Sequence, residues 1–272
     1  MPDITFHDPS TVDGSLVRLK LQSAGVEKGF HEEIVEALPK RAAGVILYGS
    51  VARGDTSPAS DIDLLVVTDR PRRTAARGRV NVTTYDALQF ASAQGTLYGM
   101  HISRDGLILH DSGGTAVSIA VFGEVEVNRL TQRLERLAAL LELPEREIKE
   151  NLTGFVRHAR YVLRTATYLK ALRTGEPCFS VTELSHRFDD PSLSVLLSSH
   201  AEVHGPPSHE VFDELRNRTR RLLQRPPAPH YQTLKDAIVG YGAEWPEVGD
   251  AATLILNRDE SDPYATIPRV IL

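Results

Sequence analysis

The chain has 272 residues, enough for one large domain or two ordinary ones, and its 41% hydrophobic and 25% charged residues argue against wholesale disorder. A net charge of −5 argues against a protein that coats nucleic acid through a broad basic surface, while leaving room for a local basic groove. The single cysteine, Cys178, rules out an internal disulfide. With no apolar run near the ~20 residues of a membrane span and no secretion signal at the polar, acidic start, the expected setting is cytoplasmic and off the membrane.

Residues 1–14 read as a loose arm. From Ser15 to Lys40 the pattern is helical, broken at Gly25 and Gly29, and His31 to Lys40 closes as a short helix near Pro39. Two short apolar runs follow, Val45 to Tyr48 and Leu64 to Val67, each the length of a buried strand and each bounded by turn residues. Between them lie Gly49-Ser50, a polar loop from Val51 to Ser60, and then Asp61-Ile62-Asp63. Strand alternation puts Asp61 and Asp63 on one face and turns Ile62 into a core. Two carboxylates so placed repel each other unless something cationic lies between them.

Asp69 to Gly78 reads as a basic, solvated connection, and Arg79 to Tyr85 as a third strand. Asp86 can N-cap a helix through Phe90. Gly95 to His101 is ambiguous between helix and extended chain, and Leu107 to Leu109 is a last short strand. Ser112 to Thr115 then marks a boundary.

Beyond it the pattern turns helical. Val127, Leu130, Leu134, Leu137 and Leu141 step by three and four. Pro144 opens a second helix that carries Leu152 to Leu169 and ends at Gly175. Ser180 to Glu183 fits a capping box, Pro191 opens a fourth helix through Ala201, and Ser208 a fifth through Leu223. Residues 231–240 add one more, and the stretch from Trp245 yields no periodic element. The expected organisation is an α+β unit over 1–115, a helical bundle over 116–240 and an unassigned tail over 241–272.

Gly49-Ser50 ends one strand and the aspartates begin the next, so a hairpin-like pairing brings them close. Backbone N–H groups at such a turn suit a phosphate, and paired carboxylates suit Mg²⁺, which prefers carboxylates together with substrate phosphates. That is equipment for phosphoryl or nucleotidyl transfer. The string G-S-x-A-R-G-D-x(4)-S-D-I-D-L-L-V, from Gly49 to Val66, resembles the signature of the DNA polymerase β-like nucleotidyltransferase superfamily, above all its minimal members and the aminoglycoside adenylyltransferases. The resemblance implies a small mixed sheet with flanking helices. It further implies Gly49, Ser50, Arg53 and Ser60 at the nucleotide, with Arg53 ordering the loop or a phosphate, and Asp61 and Asp63 as catalytic metal ligands. Members carry a third carboxylate on the next strand. Here alternation offers Asn81, with Thr83 beside it, and an amide can give a metal one neutral oxygen but cannot act as a base. Asp86, or a carboxylate of the helical half, is the alternative donor.

The stretch Tyr168 to Ser185 is similar in pattern to the helical domain of streptomycin/spectinomycin-type adenylyltransferases. Arg157, Arg160 and Arg164 share adjoining helix faces, readable either as a basic cleft wall or as a solvated surface, while His158 packs or caps. Two Arg-to-His spacings, Arg104 to His110 and Arg225 to His230, match the count of a helical ribonuclease motif, but one crosses an Asp-Gly turn and the other three prolines. The expectation is Mg²⁺-dependent transfer of NMP, foremost AMP from ATP, to a hydroxyl of a small molecule, protein or RNA. The alternative is a nucleotide-binding regulatory or antitoxin-type protein that has lost turnover.

Overall fold

A computed structural model describes residues 6–56, 60–71, 75–118, 125–197, 206–224, 231–241 and 244–257. Its packing divides the chain between Val125 and Glu126.

The first unit starts with β1 (Ser10–Thr11), α1 (Gly14–Ser23), α2 (Lys28–Ala37) and β2 (Arg41–Ala42). The described part of the N-terminal arm is not loose: Ser10 and Thr11 pair antiparallel with Ala42 and Arg41. Asp13 N-caps α1 by accepting from the N–H groups of Ser15 and Leu16. β3 (Gly44–Tyr48) runs straight into α3 (Gly49–Arg53), a single helical turn where a polar loop was expected. β4 (Ile62–Val67) returns antiparallel to β3. Within the basic connection a short strand, β5 (Ala75–Arg77), pairs antiparallel with β6 (Val80–Tyr85). Three residues at a sheet edge are too few for a period to announce them.

Asp86 caps α4 (Ala87–Ser92) with a reciprocal capping box to Gln89, which commits its carboxylate to the helix end. The ambiguous stretch resolves as helix α5 (Leu97–Asp105), N-capped by Thr96. β7 (Leu107–Asp111) then joins β3. The sheet order is β5-β6-β4-β3-β7, mixed because β4 and β6 run parallel while the other pairs are antiparallel.

Both faces of this sheet are covered. On one, Val45, Leu47, Ile62, Leu64 and Val66 pack with Val17, Leu21, Phe30 and Ile34 of α1 and α2. On the other, Ile46, Leu65, Val67 and Tyr85 pack with Phe90 and Ile102 of α4 and α5. Burial on two sides explains why β3 and β4 read as continuous apolar runs.

The second unit is helical: α6 (Val127–Ala139), a 3₁₀ turn over Leu140–Glu142, α7 (Glu145–Glu150), α8 (Leu152–Arg173), α9 (Val181–Arg187), α10 (Pro191–Leu197), α11 (His209–Leu223), α12 (Leu234–Tyr241) and α13 (Pro246–Leu256). The helix expected from Pro144 is two, because the chain breaks at Asn151. The predicted end of the fourth helix at Ala201 lies outside the described residues, as does the Arg225 to His230 spacing. Arg104 lies in α5 and His110 in β7, so that pair is not helical. Val248, Ala251, Ala252 and Ile255, all buried, fall at the spacing of one helix face, but Pro246 and Gly249 obscure that period in the sequence and Leu254 and Leu256 weaken the polar face opposite. A Cβ on Gly154 would come 2.1 Å from the Ile255 carbonyl oxygen, so the glycine is what lets α8 and α13 touch. Arg136 pairs with the buried Glu247 at 2.7 Å, tying α13 to α6. Among the described residues no helix is long and apolar enough to cross a membrane.

Candidate active site

The site is built where three strand ends meet. β3 ends at Tyr48 as β4 and β6 begin, and register places Tyr48 opposite Asp63 and Asp63 opposite Asn81. Cross-strand partners share a face, so these three side chains lie in one line on the side of the sheet covered by α4 and α5. Asp61 stands two residues earlier, just before β4, with the fully buried Ile62 between them.

Two features shape the space around Asp63. Gly49 sits in the left-handed region at φ +79°, and a Cβ there would come 2.7 Å from Asp63 Oδ2. Only a residue with no side chain allows the backbone this close to the carboxylate. On the other side, Asn81 Nδ2 donates to Asp63 Oδ1 at 3.3 Å. The carboxylate is thus steered between a bare backbone turn and a neutral amide.

Aromatic groups line the near side of Asp63. Tyr48 meets Tyr98 edge-on at 5.7 Å between ring centroids, and Tyr98 meets Tyr85 at 5.9 Å. Burial, and next the charge of Asp63, push the Tyr48 phenol above its ordinary range, and burial does the same to Tyr98. Both remain neutral at ordinary pH, so neither can serve as a base there.

Arg53, at the end of α3, turns to α5 rather than standing alone. Its Nη1 reaches His101 Nε2 at 3.1 Å and Asp105 Oδ2 at 3.3 Å, while Nε donates to Asp55 Oδ2 at 3.3 Å. Ser60 is buried immediately before Asp61. Gly49, Ser50, Arg53, Asp63 and Asn81 therefore come from elements that converge on one end of the sheet.

Arg157, Arg160 and Arg164 belong to the other packing unit, where their bonds go to helix ends. Arg160 Nε donates to the Leu196 carbonyl at 2.8 Å, Arg164 to that of Leu197, and Arg157 to those of Leu254 and Asn257. These carbonyls lie at the last described turn of α10 and at the C-terminal end of α13, where cations are favoured. Each of these guanidiniums has a carbonyl near a helix terminus to satisfy. His158 packs as expected, buried and bonded to the Leu137 carbonyl at 2.9 Å.

Two histidines held below their ordinary range make stability depend on pH. Burial, then Arg53 and Arg104, pull His101 down to about 3, and burial pulls His158 down to about 4. The unfolded chain binds these protons near pH 6.5 and the folded chain does not, so stability falls as pH drops below that value. Between pH 6.5 and 5 the expected loss is at most ~1.4 kcal/mol per pH unit for each histidine. Urea midpoints across that window, repeated on His158→Gln, check this: the variant should show the shallower pH slope.

The residues fit a divalent cation. Two carboxylates with one residue between them, an amide on the next strand and a backbone turn without a Cβ are the donor types that, with phosphate and water oxygens, suit Mg²⁺. Among the described residues no group of three or more His, Cys, Asp or Glu side chains could hold a metal.

Comparison with known proteins agrees with this geometry. Residues 30–103 match the family model described as nucleotidyltransferase domain, a span that runs from α2 through β3, β4 and β6 into α5. A solved nucleotidyltransferase-like protein from Exiguobacterium sibiricum 255-15 aligns over 88% of this chain and 81% of its own, at 16% identity and a TM-score of 0.28. A search of curated proteins found no match. The matched span holds every strand end that builds the Gly49, Asp63 and Asn81 cluster, and over residues 30–103 the chain is similar to nucleotidyltransferase domains.

Proposed function

We propose that the protein is a Mg²⁺-dependent nucleotidyltransferase that moves NMP, foremost AMP from ATP, to an acceptor hydroxyl and releases pyrophosphate. The observation that carries this reading is Gly49 pressed against Asp63, with Asn81 on the far side of the same carboxylate. In this reading the N–H groups of the Gly49-Ser50 turn bind triphosphate oxygens, and Asp61 and Asp63 hold the ion. When bound, Mg²⁺ would neutralise the triphosphate and favour in-line geometry at the α-phosphorus. Asn81 orients Asp63 through its N–H, and α3 keeps the turn at the end of β3. The acceptor oxygen forms a bond to the α-phosphorus as the bond to the bridging oxygen of the β-phosphate breaks, pyrophosphate leaves with that electron pair, and the hydroxyl proton passes to water. The acceptor is a small molecule, a protein side chain or an RNA end.

The test is incubation with each labelled NTP, Mg²⁺ and a panel of hydroxyl acceptors, with Asp61→Ala/Asp63→Ala as control. Label transfer that persists in the double variant would sink the assignment.

A second reading draws on Asn81. An amide beside Asp63 cannot take a proton from an alcohol, which favours a regulatory protein that binds nucleotide without turning it over. Asn81→Asp separates the two. A third carboxylate beside Asp63 should lower Tm without metal, by like-charge repulsion, and restore it when Mg²⁺ is added. It should also raise hydroxyl transfer about tenfold or more if the missing base limits turnover. A Tm indifferent to Mg²⁺ would count against Asn81 facing the ion.

A further inference from the structure

We propose that His101 and Asp105 of α5, acting through Arg53, are positioning residues that hold the Gly49–Arg53 turn in its phosphate-binding shape. The inference rests on the nucleotidyltransferase reading and goes beyond it by giving α5 a part in nucleotide binding.

α3 has five residues, far too few for a helix to sustain itself, so tertiary contacts must fix it. At its start it is continuous with β3. At its end Gly54 adopts the left-handed conformation, at φ +74°, and its N–H bonds the Ser50 carbonyl. Val51 anchors its middle in the core beside Ile62 and Leu64, and Arg53 holds its end. Its guanidinium forks between two places: Asp55 on its own loop, at 3.2 Å from Nη2 and 3.3 Å from Nε, and α5, through His101 and Asp105. The Asp105 side chain is 6% exposed and that of Arg53 18%, so these charge-assisted bonds form largely out of water, where geometry is held most firmly.

The charges explain why Arg53 serves α5 rather than the triphosphate. Its single positive charge already faces the carboxylates of Asp55 and Asp105. Burial and the nearby Arg53 and Arg104 keep His101 neutral, so its Nε2 can accept the Arg53 N–H. Tyr48, the residue before Gly49, packs edge-on against the same imidazole at 5.7 Å between centroids. His101 therefore touches both the residue that precedes the turn and the residue that ends it. Loosening either contact frees the turn and makes nucleotide binding bear the ordering cost.

The test measures ATP binding directly, by calorimetry on the full chain with Mg²⁺, beside transfer kinetics. His101→Ala and Asp105→Asn should each weaken ATP binding about tenfold and raise KM to match, with kcat within about twofold, the signature of lost uniform binding. His101→Gln keeps an acceptor toward Arg53 and should recover most of the affinity. The double variant Arg53→Ala/Asp105→Asn should bind no worse than Arg53→Ala alone, because the two act as one unit. Additive losses would overturn the inference, since Arg53 would then meet phosphate independently of α5. If His101→Ala fails to fold, Asp105→Asn and the double variant still decide the matter. Equal affinity in the wild type and every variant defeats this inference alone; a wild type that binds no nucleotide defeats the nucleotidyltransferase reading with it.

Discussion

Replacing Gly49 with alanine is expected to reduce transfer by at least about a hundredfold while lowering stability by roughly 2 kcal/mol. Two costs add at this one atom. The φ of +79° is a conformation that an L side chain adopts only at a cost of about 1–2 kcal/mol, and the new Cβ would lie 2.7 Å from Asp63 Oδ2. Something must move, and the nearest atom is a carboxylate oxygen of the proposed metal site. A displacement of about 1 Å in a reacting constellation is enough to cost two orders of magnitude in rate. Gly25 is the natural control. Its φ of +74° is nearly the same, yet nothing lies within 4 Å of its Cβ position. Gly25→Ala should therefore show a similar backbone cost in urea without the activity loss. Equal activity in the two variants would mean that the close approach at Gly49 is not used by the reaction.

The comparison also shows where local sequence was a sufficient guide. Asp61-Ile62-Asp63 was legible because a strand has a period of two and a wholly apolar flank fixes its direction. Asn81 was legible for the same reason, and the register of β6 on β4 pairs it with Asp63. α5 was harder to see. Gly95 and Gly99 blur its start, and its helical character rests on the Thr96 cap and the burial of Leu97 and Ile102. Because that helix stayed ambiguous, His101 and Asp105 escaped notice, although their spacing of four would have placed them on one face once a helix was assigned. α3 is shorter than any periodic window. The arginines of α8 illustrate a different limit: spacing shows that they share neighbouring faces, but the carbonyls that receive them lie 33 to 100 residues away in sequence.

Asp63→Asn should give a folded protein whose transfer is reduced about a thousandfold, because it removes a charge while keeping the shape. An amide fits the space of the carboxylate, so the apolar packing of Leu64 and Leu65 behind it is left intact. The change also takes away the negative charge that helps to raise the Tyr48 and Tyr98 phenols, a small relief for a buried aromatic cluster. Stability without ligand should therefore stay within about 1 kcal/mol of the wild type. The loss appears when ligand is added. Mg²⁺ with ATP should stabilise the wild type by about 2.7 kcal/mol at a hundredfold excess over Kd, and the variant by much less. A thousandfold loss of rate corresponds to about 4 kcal/mol of transition-state stabilisation, the scale expected when an ion's hold on the reacting phosphate is lost. If the variant keeps full transfer, Asp63 is not a metal ligand and the line from Tyr48 to Asn81 is structural only. If the wild type shows the stability gain with Mg²⁺ and ATP yet transfers to no acceptor, while Asp63→Asn loses that gain, the same geometry serves nucleotide binding without turnover. The two measurements together thus separate the ion site from the chemistry performed at it.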